Sequence, residues 1–184
     1  YYKIDFYNQL ETNNSDKELK NYYTQKLRKG NNKFLIKDFE EINKYSYDDD
    51  FKIKYKFNIN DYAKQLGDEI YINLNLKREA SNFRTEEDRE NEIEVTYKSY
   101  YIFENTLEIP QGYAVDYMPE NYELNNTFVR CNISYNQKDN KIIYKQELTM
   151  DFLSLSPVEQ KIVNNAIKKI EKQYKETVVF KKLN

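Results

Sequence analysis

FKIKYKFNI (51–59) alternates without a fault. Phe51, Ile53, Tyr55, Phe57 and Ile59 share one parity, and three lysines and Asn58 fill the other. Successive side chains of a strand point to opposite faces, so this period of two gives one apolar face and one polar face. Such strands belong to antiparallel sheets that are wetted on one side. EIYINLNLK (69–77) repeats the pattern with Ile70, Ile72, Leu74 and Leu76. Further candidates are 33–43, 93–97, 101–109, 127–136, 140–150 and 177–182. The opening YYKIDFYNQL also alternates, with Tyr2, Ile4, Phe6 and Leu10 on one parity. The pattern predicts a mainly β chain, an antiparallel β-sandwich.

Two segments change period. In SDKELKNYYTQKLRKG (15–30), Ser15 stands three residues ahead of Glu18 as in a capping box, and Gly30 reads as the helix stop. Leu19, Tyr22, Tyr23 and Leu27 form the stripe between them. SPVEQKIVNNAIKKIEKQY (156–174) is stronger: Ser156 caps, Pro157 takes the first helical position and Glu159 closes the box. Its stripe is Ile162, Val163, Ala166, Ile167, Ile170 and Tyr174. Each helix has one apolar face, so both are expected to pack on a sheet. Their polar faces mix both signs, unlike a membrane-surface helix.

A chain of 184 residues is expected to form one domain with a real core. The runs RTEEDRENE (84–92) and Asp48–Asp50 interrupt the pattern but are short for linkers. With 29 basic and 31 acidic residues, the net charge of −2 gives no electrostatic footprint for nucleic acid or an anionic membrane. No apolar run approaches the ~20 residues of a membrane helix. The chain opens inside an alternating segment with neither an initiator methionine nor a signal peptide, which reads as a piece of a longer protein.

The absence of histidine removes the Ser-His-Asp and Cys-His arrangements, HExxH and any imidazole metal ligand. Three glycines cannot supply a P-loop or a dinucleotide-binding turn. Cys131 lies in FVRCNISY, where Val129, Cys131, Ile133 and Tyr135 share a parity, so it reads as a small core residue rather than a nucleophile. Asp48, Asp49 and Asp50 are oxygen ligands of the kind calcium takes, but lack the spacing and glycine of a calcium loop; a solvated turn is expected. Glu86, Glu87 and Asp88 follow Thr85 as in the first turn of a helix. No catalytic, cofactor-binding or metal-binding residue is assigned, and no cofactor is implied.

All but one of the prolines, with one of the three glycines, fall in LEIPQGYAVDYMPEN (107–121). Pro110-Gln111-Gly112 fits a turn with proline first and glycine at the position needing positive φ. Ala114 to Tyr117 begins a second extended segment, which Pro119 ends. This stretch resembles the C-terminal β domain of bacterial transglutaminase-like proteins, in its strand, I-P-x-G-Y-x-V, x-P-E-N and following strand pair. NDYAKQLGDEIYINLNL (60–76), the DKELKNYYTQKL helix, and SPVEQKIVNNAIKKI followed by ETVVFKK are similar to further segments of that family. The sequence departs from it at ENEIEV and TYKSY, where the family has prolines.

Those proteins carry an N-terminal β-sandwich, a papain-like core with a Cys-His-Asp triad, and the C-terminal β domain. The resemblance implies a non-catalytic accessory domain whose partner is its own upstream transglutaminase-like core, with export to the periplasm or cell surface. None of the triad residues is carried over to this chain. The alternative is an independent glycan- or protein-binding module using surface tyrosines such as Tyr45, Tyr47, Tyr100 and Tyr101. A third class, an enzyme using carboxylates alone, would need two close carboxylates in a deep pocket.

Overall fold

The computed structural model describes residues 11–12, 15–46 and 48–183; the alternating opening YYKIDFYNQL and Tyr47 lie outside them. The chain divides into two compact units, with the boundary between Tyr62 and Ala63.

In the first unit, helix α1 (Asp16–Lys26) covers an antiparallel pair, β1 (Phe34–Ile42) and β2 (Lys52–Ile59). The Glu18 amide donates to Ser15 Oγ at 3.3 Å, the cap that the sequence predicts. The helix stops at Lys26 rather than running to Gly30. Gly30 serves the packing instead. At φ +76° it passes the end of β2 so closely that a Cβ would sit 2.7 Å from Ile59 Cδ1. Strand β2 keeps strict alternation, its apolar residues half-buried and its lysines exposed. Strand β1 does not. A bulge between Ile36 and Asp38 shifts the inward parity from Phe34 and Ile36 to Phe39 and Glu41. Glu41 thereby reaches the buried Tyr23 of α1, whose hydroxyl donates to it, and Lys44 Nζ closes on the same carboxylate at 2.8 Å.

The second unit has two four-stranded antiparallel sheets. The main sheet is ordered β6 (Ser99–Glu108), β10 (Lys141–Met150), β9 (Val129–Lys138), β8 (Tyr122–Asn125). The other is ordered β3 (Lys64–Leu66), β4 (Glu69–Ile72), β12 (Val178–Lys182), β7 (Tyr113–Tyr117). A minor pair joins β5 (Ile93–Glu94) to β11 (Ser154–Leu155). Cys131, Ile133, Tyr135, Ile142, Tyr144 and Leu148 of the main sheet share one core with Val178 and Phe180 of the second, and with Val163, Ala166, Ile167 and Ile170 of helix α2 (Pro157–Gln173). The architecture is mainly β, a sandwich of antiparallel sheets with helices packed on them, and each helix belongs to a different unit.

Four expectations from the sequence change. The run 69–77 leaves its strand at Ile72, because Asn73 Oδ1 accepts from the Asn75 amide at 2.7 Å and turns the chain, so both Leu74 and Asn75 become buried. Residues 93–97 contribute only the two-residue β5. No helix follows Thr85. The preceding residues form a short 3-10 helix (Glu79–Phe83), and 84–92 is a loop strapped to α2. In those straps the Thr85 amide donates to Asn164 Oδ1 at 3.0 Å, Asn164 Nδ2 returns to the Thr85 carbonyl at 3.0 Å, and Gln160 Nε2 donates to the Asn91 carbonyl at 2.8 Å. Finally, Ile162 is 45% exposed and lies outside the buried stripe.

The α2 capping box forms as expected, with the Ser156 amide donating to Glu159 Oε2 at 2.8 Å. The turn after β6 also forms: the Tyr113 amide donates to the Pro110 carbonyl at 3.1 Å, and Gly112 holds φ +81°.

Two stability measurements check this packing. Ile167→Asp strands a charge in the core and is expected to lower unfolding free energy by several kcal/mol, on the order of 3–5. Ile162→Asp, on the solvent side of the same helix, is expected to change it by less than about 0.5 kcal/mol. Equal denaturation midpoints for the two variants would contradict the placement of the helix. A Cβ on Gly112 meets nothing within 4 Å, so the cost of Gly112→Val is that of the backbone alone. Denaturant unfolding is expected to show a loss of roughly 1–3 kcal/mol.

Candidate functional site

The inward side of the main sheet is committed to packing. Cys131, the one thiol of the chain, is 2% exposed between Val129 and Ile133, on the face its parity predicts. Burial pushes its pKa up to about 12. The same face holds a polar chain in the core. The Tyr144 hydroxyl donates to Gln146 Oε1 at 2.9 Å, and Gln146 Nε2 donates to the Tyr174 hydroxyl at 2.9 Å. That hydroxyl also accepts from the Ala80 amide at 3.4 Å. All three side chains are fully buried. Gln146 falls on the inward parity of β10, where the sequence alternation reads only that a residue is enclosed and not what it bonds to.

The carboxylate clusters do not assemble a site. Asp48, Asp49 and Asp50 are exposed, and Asp49 closes a turn with Ser46, its amide donating to Ser46 Oγ at 3.1 Å. Glu86 and Asp88 are exposed, and Glu87 pairs with Lys168 of α2 and with Arg84. Lys168 holds the Glu87 carboxyl below its ordinary value. Among the described residues no three potential ligands from His, Cys, Asp and Glu gather as a metal site.

The tyrosines divide. Tyr45 is exposed with Lys44 Nζ 5.7 Å from its ring centre, and Tyr100 is 60% exposed. Tyr101 turns inward and stacks on Phe103, with ring centres 6.1 Å apart. Gln111 and Glu120 are exposed in the loops that flank β7.

Tyr100 belongs to the outward side of the main sheet. Strand register sets its side chains in rows. One row crosses the sheet as Tyr100, Thr149, Arg130 and Asn125. The next runs Ile102, Glu147, Asn132 and Glu123. Between the rows lies an open groove of about 220 Å³. Its charges are mostly met locally. Asp151 receives Arg130 at 3.1 Å and Lys98 at 2.7 Å, contacts that hold its carboxyl below the ordinary value, and Lys145 meets Glu147 at 2.7 Å. Of these residues, Tyr100 alone stands out in the sequence as a candidate for binding. Arg130 and Asn132 are legible as the outward parity of FVRCNISY, but their alignment with β8 and β10 comes from register.

A family model matches residues 68–180, that of a domain of unknown function with solved-structure structure (DUF3858). No curated protein and no solved structure matches the chain. The matched segment runs from the turn before β4 to the middle of β12, and so includes the whole main sheet and every strand of the second except β3 and the end of β12.

A thiol with a pKa near 12 is ionised in roughly one molecule in ten thousand at pH 8. Labelling of Cys131 by a thiol reagent is therefore expected to be slow in native buffer and fast in denaturant. Equal rates would show that β9 presents this residue to solvent.

Proposed function

The chain belongs to the DUF3858 family of domains of unknown function, and we propose that it serves as a non-catalytic accessory domain of a transglutaminase-like or peptidase-like protein. In this role it packs against the catalytic core of that protein, or helps to shape and shield the core's substrate cleft. Its place is the periplasm or cell surface. The tie to this class of protein rests on the resemblance of LEIPQGYAVDYMPEN, NDYAKQLGDEIYINLNL and the closing helix and strand.

The observation that carries the reading is the state of Cys131. Nucleophilic cysteines need a base and access to substrate, which lower the thiol pKa and expose the sulfur. Here the sequence holds no histidine, and the sulfur is sealed in a core that raises its pKa. A surface for packing exists on α2, where Val158 and Ile162 stand one turn apart, 69% and 45% exposed.

Two measurements test this role. The purified chain is expected to give no turnover with transglutaminase, amidase or protease substrates; turnover abolished by Cys131→Ser would overturn it. The coding sequence upstream of Tyr1 is expected to encode a core with Cys, His and Asp. An upstream region without such a core would remove the proposed partner.

A further inference from the structure

The groove on the outward side of the main sheet is unused by packing. Tyr100 forms one wall with its ring exposed, and Ile102 beside it is also exposed. Asn125, Asn132 and Glu123 face them from β8 and β9 and make no side-chain hydrogen bond or ion pair among the described residues. The cations nearest to them are occupied, Arg130 by Asp151 and Lys145 by Glu147. The unmatched groups are thus an aromatic plate, two primary amides, the Thr149 hydroxyl and one carboxylate.

We propose that this groove binds a neutral oligosaccharide. Each amide offers donors and an acceptor side by side, which matches neighbouring sugar hydroxyls that both donate and accept. Glu123 adds acceptors for hydroxyl protons. The Tyr100 ring provides an apolar surface for the C–H face of a sugar ring, with a polar tip at the rim. A phosphate, sulfate or nucleic-acid ligand would need uncommitted Arg or Lys in the groove, and Arg130, the cation among its lining residues, is already paired with Asp151. An amphipathic helix would need an apolar floor, which these rows do not give. From β6 to β8 the face crosses three strand spacings, roughly 14 Å, which suits a short oligosaccharide rather than a single ring. The side chains stand on paired strands, so little order has to be imposed on binding. Sugar binding here is independent of the accessory role, since it rests on the groove alone.

NMR titration of the ¹⁵N-labelled chain tests it, with hexasaccharides of glucan, mannan, xylan and chitin, and an acidic polygalacturonate hexamer and an extended peptide as contrasts. At least one neutral hexasaccharide is expected to shift the amides of Tyr100, Asn125, Arg130, Asn132 and Thr149. Tyr100→Ala and Asn132→Ala are each expected to weaken that binding by about tenfold or more, with the thermal midpoint unchanged. The proposal is overturned if no neutral sugar moves these amides at up to about 10 mM. Shifts elsewhere on the surface, tighter binding of the acidic hexamer or the peptide, or undiminished affinity in Tyr100→Ala would also overturn it.

Discussion

Tyr174 is the joint on which the second unit depends. Its hydroxyl takes hydrogen bonds from Gln146 of β10 and from the Ala80 amide in the 3-10 helix, while its carbonyl takes one from Asn73 Nδ2 at 2.8 Å. Burial pushes the hydroxyl pKa up to about 12, against the pull of those donors, so it remains a neutral phenol. Leaving any one of these buried groups unmatched would carry a desolvation penalty of about 1–3 kcal/mol. The residue caps the C-terminus of α2, and the chain turns directly from it into β12, the strand that pairs with both β4 and β7. One side chain therefore ties the main sheet to the helix, and one carbonyl ties the helix to the start of the second sheet.

The straps along α2 extend that logic. Asn164 and Gln160 are buried polar residues on the helix, and they hold the 84–92 loop by its backbone rather than by its charges. This explains how a segment as polar as RTEEDRENE lies against a helix. The Thr85 amide and carbonyl and the Asn91 carbonyl are satisfied by these two side chains, and Arg84 and Glu87 add exposed ion pairs to Glu171 and Lys168, which contribute little at the surface. With α2 and the second sheet covering one side of the main sheet, the other side has no structural work. Its residues can be polar and aromatic without cost to the core.

Much of this was legible in the sequence. Alternation located β2, β6, β9 and β10 because each pairs over its full length with one face more enclosed than the other, whereas the bulge in β1 breaks the period and β12 is buried on both faces at Val178, Val179 and Phe180. It failed at 73–77, where a single Asn side chain competes for the backbone and ends the strand, an event that has no period. The helical stripe placed Val163, Ala166, Ile167, Ile170 and Tyr174 in the core but also included Ile162, which sits at its margin and faces solvent. Periodicity gives the direction of a stripe and not its width. No linker signal marks Tyr62–Ala63, because the boundary between the two compact units falls within the ordinary polar composition of the chain. The edge strands β3 and β8 are only a few residues long, and too short for alternation to register.

The rows of the outward face show why a binding surface is harder to read than a core. Burial selects for apolar type at every inward position, so one strand suffices to reveal it. A polar surface is a set of side chains from several strands, and no single segment contains it. Tyr100, Asn125 and Asn132 are far apart in the chain, yet β6, β8, β9 and β10 bring them across one sheet in adjacent rows. β10 is the element that makes this possible: its inward residues Tyr144, Gln146 and Leu148 secure the core, and its outward residues Glu147 and Thr149 carry the groove between Tyr100 and the amides. The same register that sets Cys131 beside Leu124 of β8 sets Asn132 beside Glu123 on the outward face. Burial of Cys131 and exposure of Asn132 are two sides of one strand pairing.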